Sequence, residues 1–564
     1  MLSFIKSQLL KFSVGTMAGE EGEFWEKDRL LSESICSTYS ETETSDNFSG
    51  RVKTNSDQSS DETSPSMSIL QQTAPFLLLG TDSQTPSPMQ SWHSVLAELK
   101  GPRRIWTVTL FSFLAAFSAI LSGYTLAFPS SALLDLRNMT NTSRFVKGSS
   151  IEDYFGAMAP IGAIFGAAIA GFLSDVFGRK LTLILTGLPH VIGWLFLAGS
   201  YDLQSLRPVF ILFLLIGRFL SGLGMGWAML IAPIYIAEIS VPVMRGFYSA
   251  LPQLALSLGI PLAYCFGYSL MYHQSSLIAV GIAIFCSLVA IFIPESPRYL
   301  LSKGRREKAC RVLTVLRGKK KSVLSKEIFE LDNLVYKQRR LRCNEWLSEL
   351  KQRQVFIPLI LCLFVLIFQQ LSGINALFFY GAPILQEAGV AKSEFMALLA
   401  IGLTEFVTTL LTVFIVDLFG RKYMLMLSSF IMMCSCTGLS THLYLKDSGS
   451  DGSPLAILSV IMLIVGFSLG LGAIPWTLMT ELLSLRVRGF LGGVLSAVNW
   501  AFAAIVTGLY LEFASKSSES FAWWMFAGVN LVAFTFVAFF LPETKGKKLE
   551  FIEQQMKNNF KLCV

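Results

Sequence analysis

Twelve apolar stretches of about 18–25 residues follow one another from Ile105 onward. Each is long enough to cross the hydrocarbon of a bilayer as a helix. They lie near 106–127, 154–173, 181–200, 208–236, 247–270, 277–294, 356–386, 394–416, 423–445, 455–482, 490–511 and 521–541. Inside lipid a backbone must satisfy its own hydrogen bonds, so runs of this kind are expected as helices. The chain therefore reads as an all-α polytopic membrane protein. Only 15% of residues are charged and 52% are hydrophobic, against about 25% charged in soluble domains, which argues against a soluble enzyme. Of the 46 Lys and Arg, 17 fall between Arg298 and Arg353. A charge excess confined to one hydrophilic stretch is a topology signal, not a nucleic-acid-binding face.

The spans divide as six, a polar insert, and six. Expected boundaries are a disordered N-terminal tail at 1–104, a first half at 105–294, a linker of short cytosolic helices at 295–355, a second half at 356–541 and a C-terminal tail at 542–564. The tail is rich in Ser, Thr, Asp and Glu and cannot bury enough apolar surface to fold. It carries no signal peptide, so it is expected in the cytosol. Placing both termini there leaves only Arg137, Arg144, Lys147, Arg207, Lys392, Lys446 and Lys516 in exoplasmic loops, the bias that orients membrane proteins. Asn138-Met-Thr and Asn141-Thr-Ser then fall in the first exoplasmic loop as glycosylation acceptors, Asn138 and Asn141. The nine Cys and four His show no metal-ligand spacing, and neither metal nor cofactor is expected.

The two halves repeat. Asp175-Val-Phe-Gly-Arg-Lys180 recurs as Asp417-Leu-Phe-Gly-Arg-Lys422, 242 residues on. Glu238 with Arg245-Gly246 recurs as Glu481 with Arg488-Gly489, and Pro294-Glu-Ser296 as Pro542-Glu-Thr544. Two parallel six-helix repeats are a standard transporter plan.

These pieces, with Pro294-Glu-Ser-Pro-Arg-Tyr-Leu300, Gln369-Gln-Leu-Ser-Gly-Ile-Asn375, Ile474-Pro-Trp476 and Pro542-Glu-Thr-Lys-Gly546, resemble the sugar porter family of the major facilitator superfamily over residues 105–556. The intracellular class of facilitative glucose transporters and the facilitated trehalose transporters are the most similar. The resemblance implies the major facilitator fold, transport of a small-molecule sugar, and no enzymatic activity. It also implies a latch that closes the cytosolic side: Asp175, Arg179, Lys180, Glu238 and Arg245, mirrored by Asp417, Arg421, Lys422, Glu481 and Arg488.

Sugar recognition needs neutral groups that both donate and accept hydrogen bonds, with aromatic surface for the ring face. Amides in apolar spans are costly unless they face a cavity or one another. The resemblance assigns Gln253, Gln369, Gln370, Asn375 and Trp476 to sugar binding, Asn499 and Trp500 match as well, and Phe379 and Tyr380 match gate positions. Hydrogen bonds between helices are the structural alternative for the amides. Glu405 stands where the family has an amide in the eighth span. It is read as a polar or proton site, or as an acid satisfied by Thr404 or Thr408. Proton-driven relatives resemble one another in an Asp of the first span, where this chain has Gly123-Tyr-Thr125; facilitated diffusion is therefore expected. A hexose such as glucose is the first substrate expected, with trehalose or another disaccharide, proton symport, or a non-transporting sensor as alternatives. In the tail, Glu26-Lys-Asp-Arg-Leu30-Leu31 fits the acidic dileucine pattern that clathrin adaptors read, Glu26, Leu30 and Leu31 being its contacts. The expected site of residence is the plasma membrane, endosomal–lysosomal membranes, or both.

Overall fold

The computed structural model describes residues 102–139, 150–241, 244–317, 349–378, 394–447, 453–484, 487–516 and 519–545, with Ile328, Lys547 and Met556. Among them, twelve helices are long and apolar enough to cross a membrane. They are α1 Trp106–Leu133, α2 Tyr154–Phe177, α3 Arg179–Leu203, α4 Arg207–Ile239, α5 Arg245–Ser269, α6 Tyr272–Ile291, α7 Arg353–Phe378, α8 Phe395–Phe419, α9 Arg421–Leu445, α10 Pro454–Leu482, α11 Arg488–Thr507 and α12 Ser520–Phe540. Among the described residues between α6 and α7 are two short helices, Pro297–Ser302 and Arg306–Arg317.

Lipid tails are as apolar as leucine, so hydrophobicity alone does not pair these helices; close packing of small residues does. A Cβ built on Gly222 or Gly226 of α4 would stand 2.1 Å from the carbonyl oxygen of Ala159 or Ala163 in α2. Those two backbones are therefore in direct contact, and α2 against α4 is the most extensive helix pair. The seams between halves are α2 on α11 and α5 on α8. The sequence repeat maps α2 onto α8 and α5 onto α11, so the two seams are copies of each other. α6 and α12 lie outermost, with Phe285 and Leu288 of α6 and Trp524, Leu531 and Phe539 of α12 exposed, as lipid-facing positions require.

Several spans are interrupted, α7 and α10 among them. α7 turns at Ser372–Gly373, and Gly373 has φ +93°, a conformation that side chains with a Cβ resist. α10 is helical over Ser453–Leu469 and again over Ile474–Leu482, unwound between. Interrupted helices expose backbone groups within the bundle, and both interruptions border the amides singled out above.

Candidate functional site

The unwound turn of α10 frees carbonyl oxygens that a continuous helix would satisfy. Gln369 of α7 answers them: its Nε2 donates to Leu471 O at 2.7 Å and to Gly472 O at 3.1 Å. Asn499 of α11 donates to Gln369 Oε1 at 2.9 Å and to Leu366 O at 2.9 Å. Gln370 donates to Asn499 Oδ1 at 2.9 Å. Asn375, beyond the α7 turn, donates to Gln370 Oε1. One chain of amides thus runs from Asn375 through Gln370, Asn499 and Gln369 to the α10 backbone, and such chains polarise their members.

An amide has two N–H donors and an oxygen with two lone pairs. Gln369 and Asn499 spend both donors on protein groups, and each oxygen accepts one bond. Among the described residues Gln370 and Asn375 each spend one donor, leaving N–H capacity, and the Asn375 oxygen accepts no bond. Asn499 is 0% exposed, Gln369 3% and Gln370 6%, whereas Asn375 is half-buried. Trp476 and Trp500 flank the chain, ring centroids 6.5 Å apart, and Trp500 Nε1 is buried without a hydrogen-bond partner among the described residues.

Gln253 of α5 is buried beside the α10 turn, its Nε2 3.5 Å from where a Cβ on Gly472 would stand. Glu405 belongs to a different layer. Gly402 packs on Ile260 and Pro261 of α5, and Asp417 bonds Phe247. In these antiparallel helices Glu405 therefore lies near the level of residue 258, roughly 8 Å along the axis from Gln253 at about 1.5 Å per residue. It is 0% exposed, and neither carboxyl oxygen has a hydrogen-bond partner among the described residues. Thr408 donates to Thr404 O instead. Phe379, Tyr380, Asn141, Glu26, Leu30 and Leu31, and the side chain of Asn138, lie outside the described residues.

The charged motifs form two copies of one cluster at one end of the bundle. Arg179 donates to Glu238 Oε1 through Nε at 3.2 Å and Nη2 at 2.9 Å, and Ser296 Oγ donates to Glu238 Oε2. In the second copy Arg421 reaches Glu481 at 3.0 Å and Asp417 at 2.9 Å, and Thr544 donates to Glu481 at 2.6 Å. These ion pairs stay within each half. Among the contacts that cross between halves is a carboxylate over a helix N-terminus, where the helix dipole favours negative charge. Phe247 N of α5 donates to Asp417 Oδ2 at 2.7 Å. Asp175 lies against α11, 2.3 Å from where a Cβ on Gly489 would stand. Arg488 donates to the Leu483 carbonyl at 2.8 Å, and Arg245 to the Lys547 carbonyl at 3.4 Å. Lys180 and Lys422 take part through backbone N–H groups, donated to Glu295 and Glu543.

Glu295 and Glu543 belong to this cluster, and sequence reasoning did not place them in it. Glu295 accepts from Arg179 N at 2.9 Å and caps α3; Glu543 accepts from Arg421 N at 3.0 Å and caps α9. Their signal was present in the recurring Pro-Glu-Ser/Thr pieces, but only the fold brings those pieces under the helices they cap. Burial pushes the Glu295 carboxyl above the ordinary range, while backbone N–H groups and Arg179 pull it back.

The architecture is that of the major facilitator superfamily. The superfamily proton:xylose symporter XylE bound to 6-bromo-6-deoxy-D-glucose matches with a TM-score of 0.72 at 23% identity, over 80% of this chain and 100% of that one. The inward open conformation of XylE from E. coli matches at 0.60, with 22% identity over 79% and 99%. The family described as "Sugar (and other) transporter" matches residues 111–556, and the chain belongs to that family. The facilitated trehalose transporter Tret1 of Apis mellifera ligustica is 31% identical over 466 residues, 82% of this chain and 91% of that protein. Tret1 of Aedes aegypti is 32% identical over 458 residues, 81% of this chain. The match spans 56% of the Aedes aegypti relative's length.

Proposed function

We propose that the protein is a facilitative sugar transporter working by alternating access. The observation that carries this reading is the amide chain joining α7, α10 and α11 beside two interrupted helices. Gln369 and Asn499 act as scaffold, saturated by protein partners. Gln370 and Asn375 offer their remaining N–H and C=O groups to sugar hydroxyls, with Trp476 and Trp500 supplying aromatic surface and Gln253 a further amide from the first half. The names of the relatives make trehalose the first disaccharide to test, beside glucose as the first hexose. Both termini are cytosolic, and the charged end is the cytosolic gate, held shut by Asp175 and Asp417 while the opposite end opens. Phe379 and Tyr380 serve the opposite gate. Asn138 and Asn141 carry glycans, and Glu26, Leu30 and Leu31 bind a clathrin adaptor.

Thr125, in place of the acid of proton-driven relatives, supports uniport. Glu405 is the observation that favours proton symport as the second reading, because an uncompensated carboxyl inside a bilayer is by default functional.

Counterflow of trehalose and of glucose in proteoliposomes tests the main reading. Gln370→Ala and Asn375→Ala should each raise KM about five-fold, since a hydrogen bond is worth about 1 kcal/mol and 1.4 kcal/mol is tenfold. Unaltered kinetics in both variants would take these residues out of the site. Counterflow of neither sugar by the parent protein would sink both proposed substrates.

A further inference from the structure

Asn530 is an amide in α12, a helix that contributes nothing to the amide chain. It is 0% exposed. Its Nδ2 donates to Ser372 O at 3.1 Å and to Phe526 O of its own helix at 2.9 Å. Ser372 is where α7 turns. Cys436 of α9, also buried, lies 3.8 Å from the same Ser372 oxygen and 3.9 Å from Asn530 Nδ2. Gly373, the next residue, sits on the Phe526 ring: a Cβ there would stand 2.8 Å from Phe526 Cδ2. Ser372 also folds its own Oγ back onto Gln369 O at 2.7 Å. Two outer helices thus grip one turn of α7, through a hydrogen bond, a thiol and an aromatic face.

The turn separates Gln369 and Gln370 on one side from Asn375 on the other. Its geometry decides whether Asn375 reaches Gln370. A buried amide is expensive to place in an apolar span, and this one spends a donor on the one α7 carbonyl at the interruption. We propose that Asn530 is a positioning residue: it fixes the α7 turn from α12, so that Asn375 stays in register with Gln370, and it makes an outer helix part of the substrate-site machinery. The functional half of this inference rests on the sugar-transport reading above; the structural half does not.

The test is hydrogen–deuterium exchange on the full chain in nanodiscs, read in peptides covering residues 366–378. Asn530→Leu removes both donors at similar volume. Asn530→Ser, whose hydroxyl can bond only its own helix, is the gentler variant should the first fail to fold. Ser440→Ala is the control. It removes a 2.6 Å hydrogen bond from Ser440 to Ser520 O between the same α9 and α12, remote from the turn. The Asn530 variants should exchange at least ten-fold faster across 366–378 and raise the KM for sugar several-fold, while Ser440→Ala alters neither. Exchange at the parent rate in the Asn530 variants, or an equal acceleration in Ser440→Ala, would overturn the proposal. An unchanged KM in a variant with accelerated exchange would overturn the link to the amide chain. Because exchange is read without sugar, a failure of the transport reading leaves this measurement decisive.

Discussion

At the end of α2, Asp175 keeps 42% of its side-chain surface exposed and stands 3.6 Å from Arg179. At the end of α8, its repeat partner Asp417 keeps 6% and stands 2.9 Å from Arg421. Both lie over the N-terminus of a helix from the other half, and Asp417 accepts a 2.7 Å bond from a backbone N–H there. The same motif therefore operates wet in one half and dry in the other. Exposed ion pairs contribute about 0–1 kcal/mol, whereas breaking a buried pair by removing one partner costs about 3–5 kcal/mol. The buried copy, beside the α5/α8 seam, is accordingly the one expected to cost more to break than the exposed copy beside α2/α11.

The largest expected effect breaks the comparison at its dry copy. Arg421→Ala strands both Asp417 and Glu481 and should lower stability by about 3–5 kcal/mol, seen as a fall in the thermal midpoint in detergent. Arg179→Ala strands Glu238 but leaves Asp175 to water, so its loss should be smaller. Equal losses would mean that the exposure difference has no energetic weight.

Next in size are the inter-half contacts. Asp417→Asn removes the charge over α5, worth up to about 2 kcal/mol in a partly buried geometry, and should shift the population toward opening at this end. Sugar affinity should change little while maximal flux changes. Asp175→Asn should do the same more weakly, within about 1 kcal/mol. Cysteine-labelling rates at the charged end in both variants report the populations, and a stronger effect from Asp175→Asn would reverse the ranking of the two copies.

The smallest effects sharpen the comparison by showing where the copies agree. Glu295 and Glu543 cap α3 and α9 through the same two backbone N–H groups each. Glu295→Ala and Glu543→Ala should each cost about 1 kcal/mol, measured by thermal unfolding, and should match within error.

Much of this was legible from residues alone, because a bilayer forces helices and sets their length. The boundaries that moved did so for tertiary reasons. α6 was expected from 277 and begins at Tyr272, since Asp135 of the first half accepts from Tyr272 N at 2.7 Å and caps it from a distance. The amides were flagged by their cost in apolar spans. Their division into saturated scaffold and available donors was not, because it depends on carbonyls that α10 releases only when it unwinds. Asn530 went unnoticed for the opposite reason: it lies in no motif, and its partner is a backbone oxygen 158 positions away. The charged residues announced themselves by recurring, but recurrence does not say which carboxylate crosses between halves. Arg245 and Arg488 recur as faithfully as Asp175 and Asp417, and they reach the backbone carbonyls of Lys547 and Leu483.

Uniport by an amide site meets its hardest case at Glu405, whose carboxyl has no hydrogen-bond partner among the described residues. The direct measurement is sugar uptake into proteoliposomes with and without an imposed proton gradient, for the parent protein and for Glu405→Gln. Uniport predicts equilibration without accumulation in every case, with Glu405→Gln retaining most of the flux because the amide keeps the volume and the hydrogen-bonding capacity of the carboxyl. Gradient-driven accumulation by the parent that vanishes in Glu405→Gln would contradict it and make Glu405 the proton carrier.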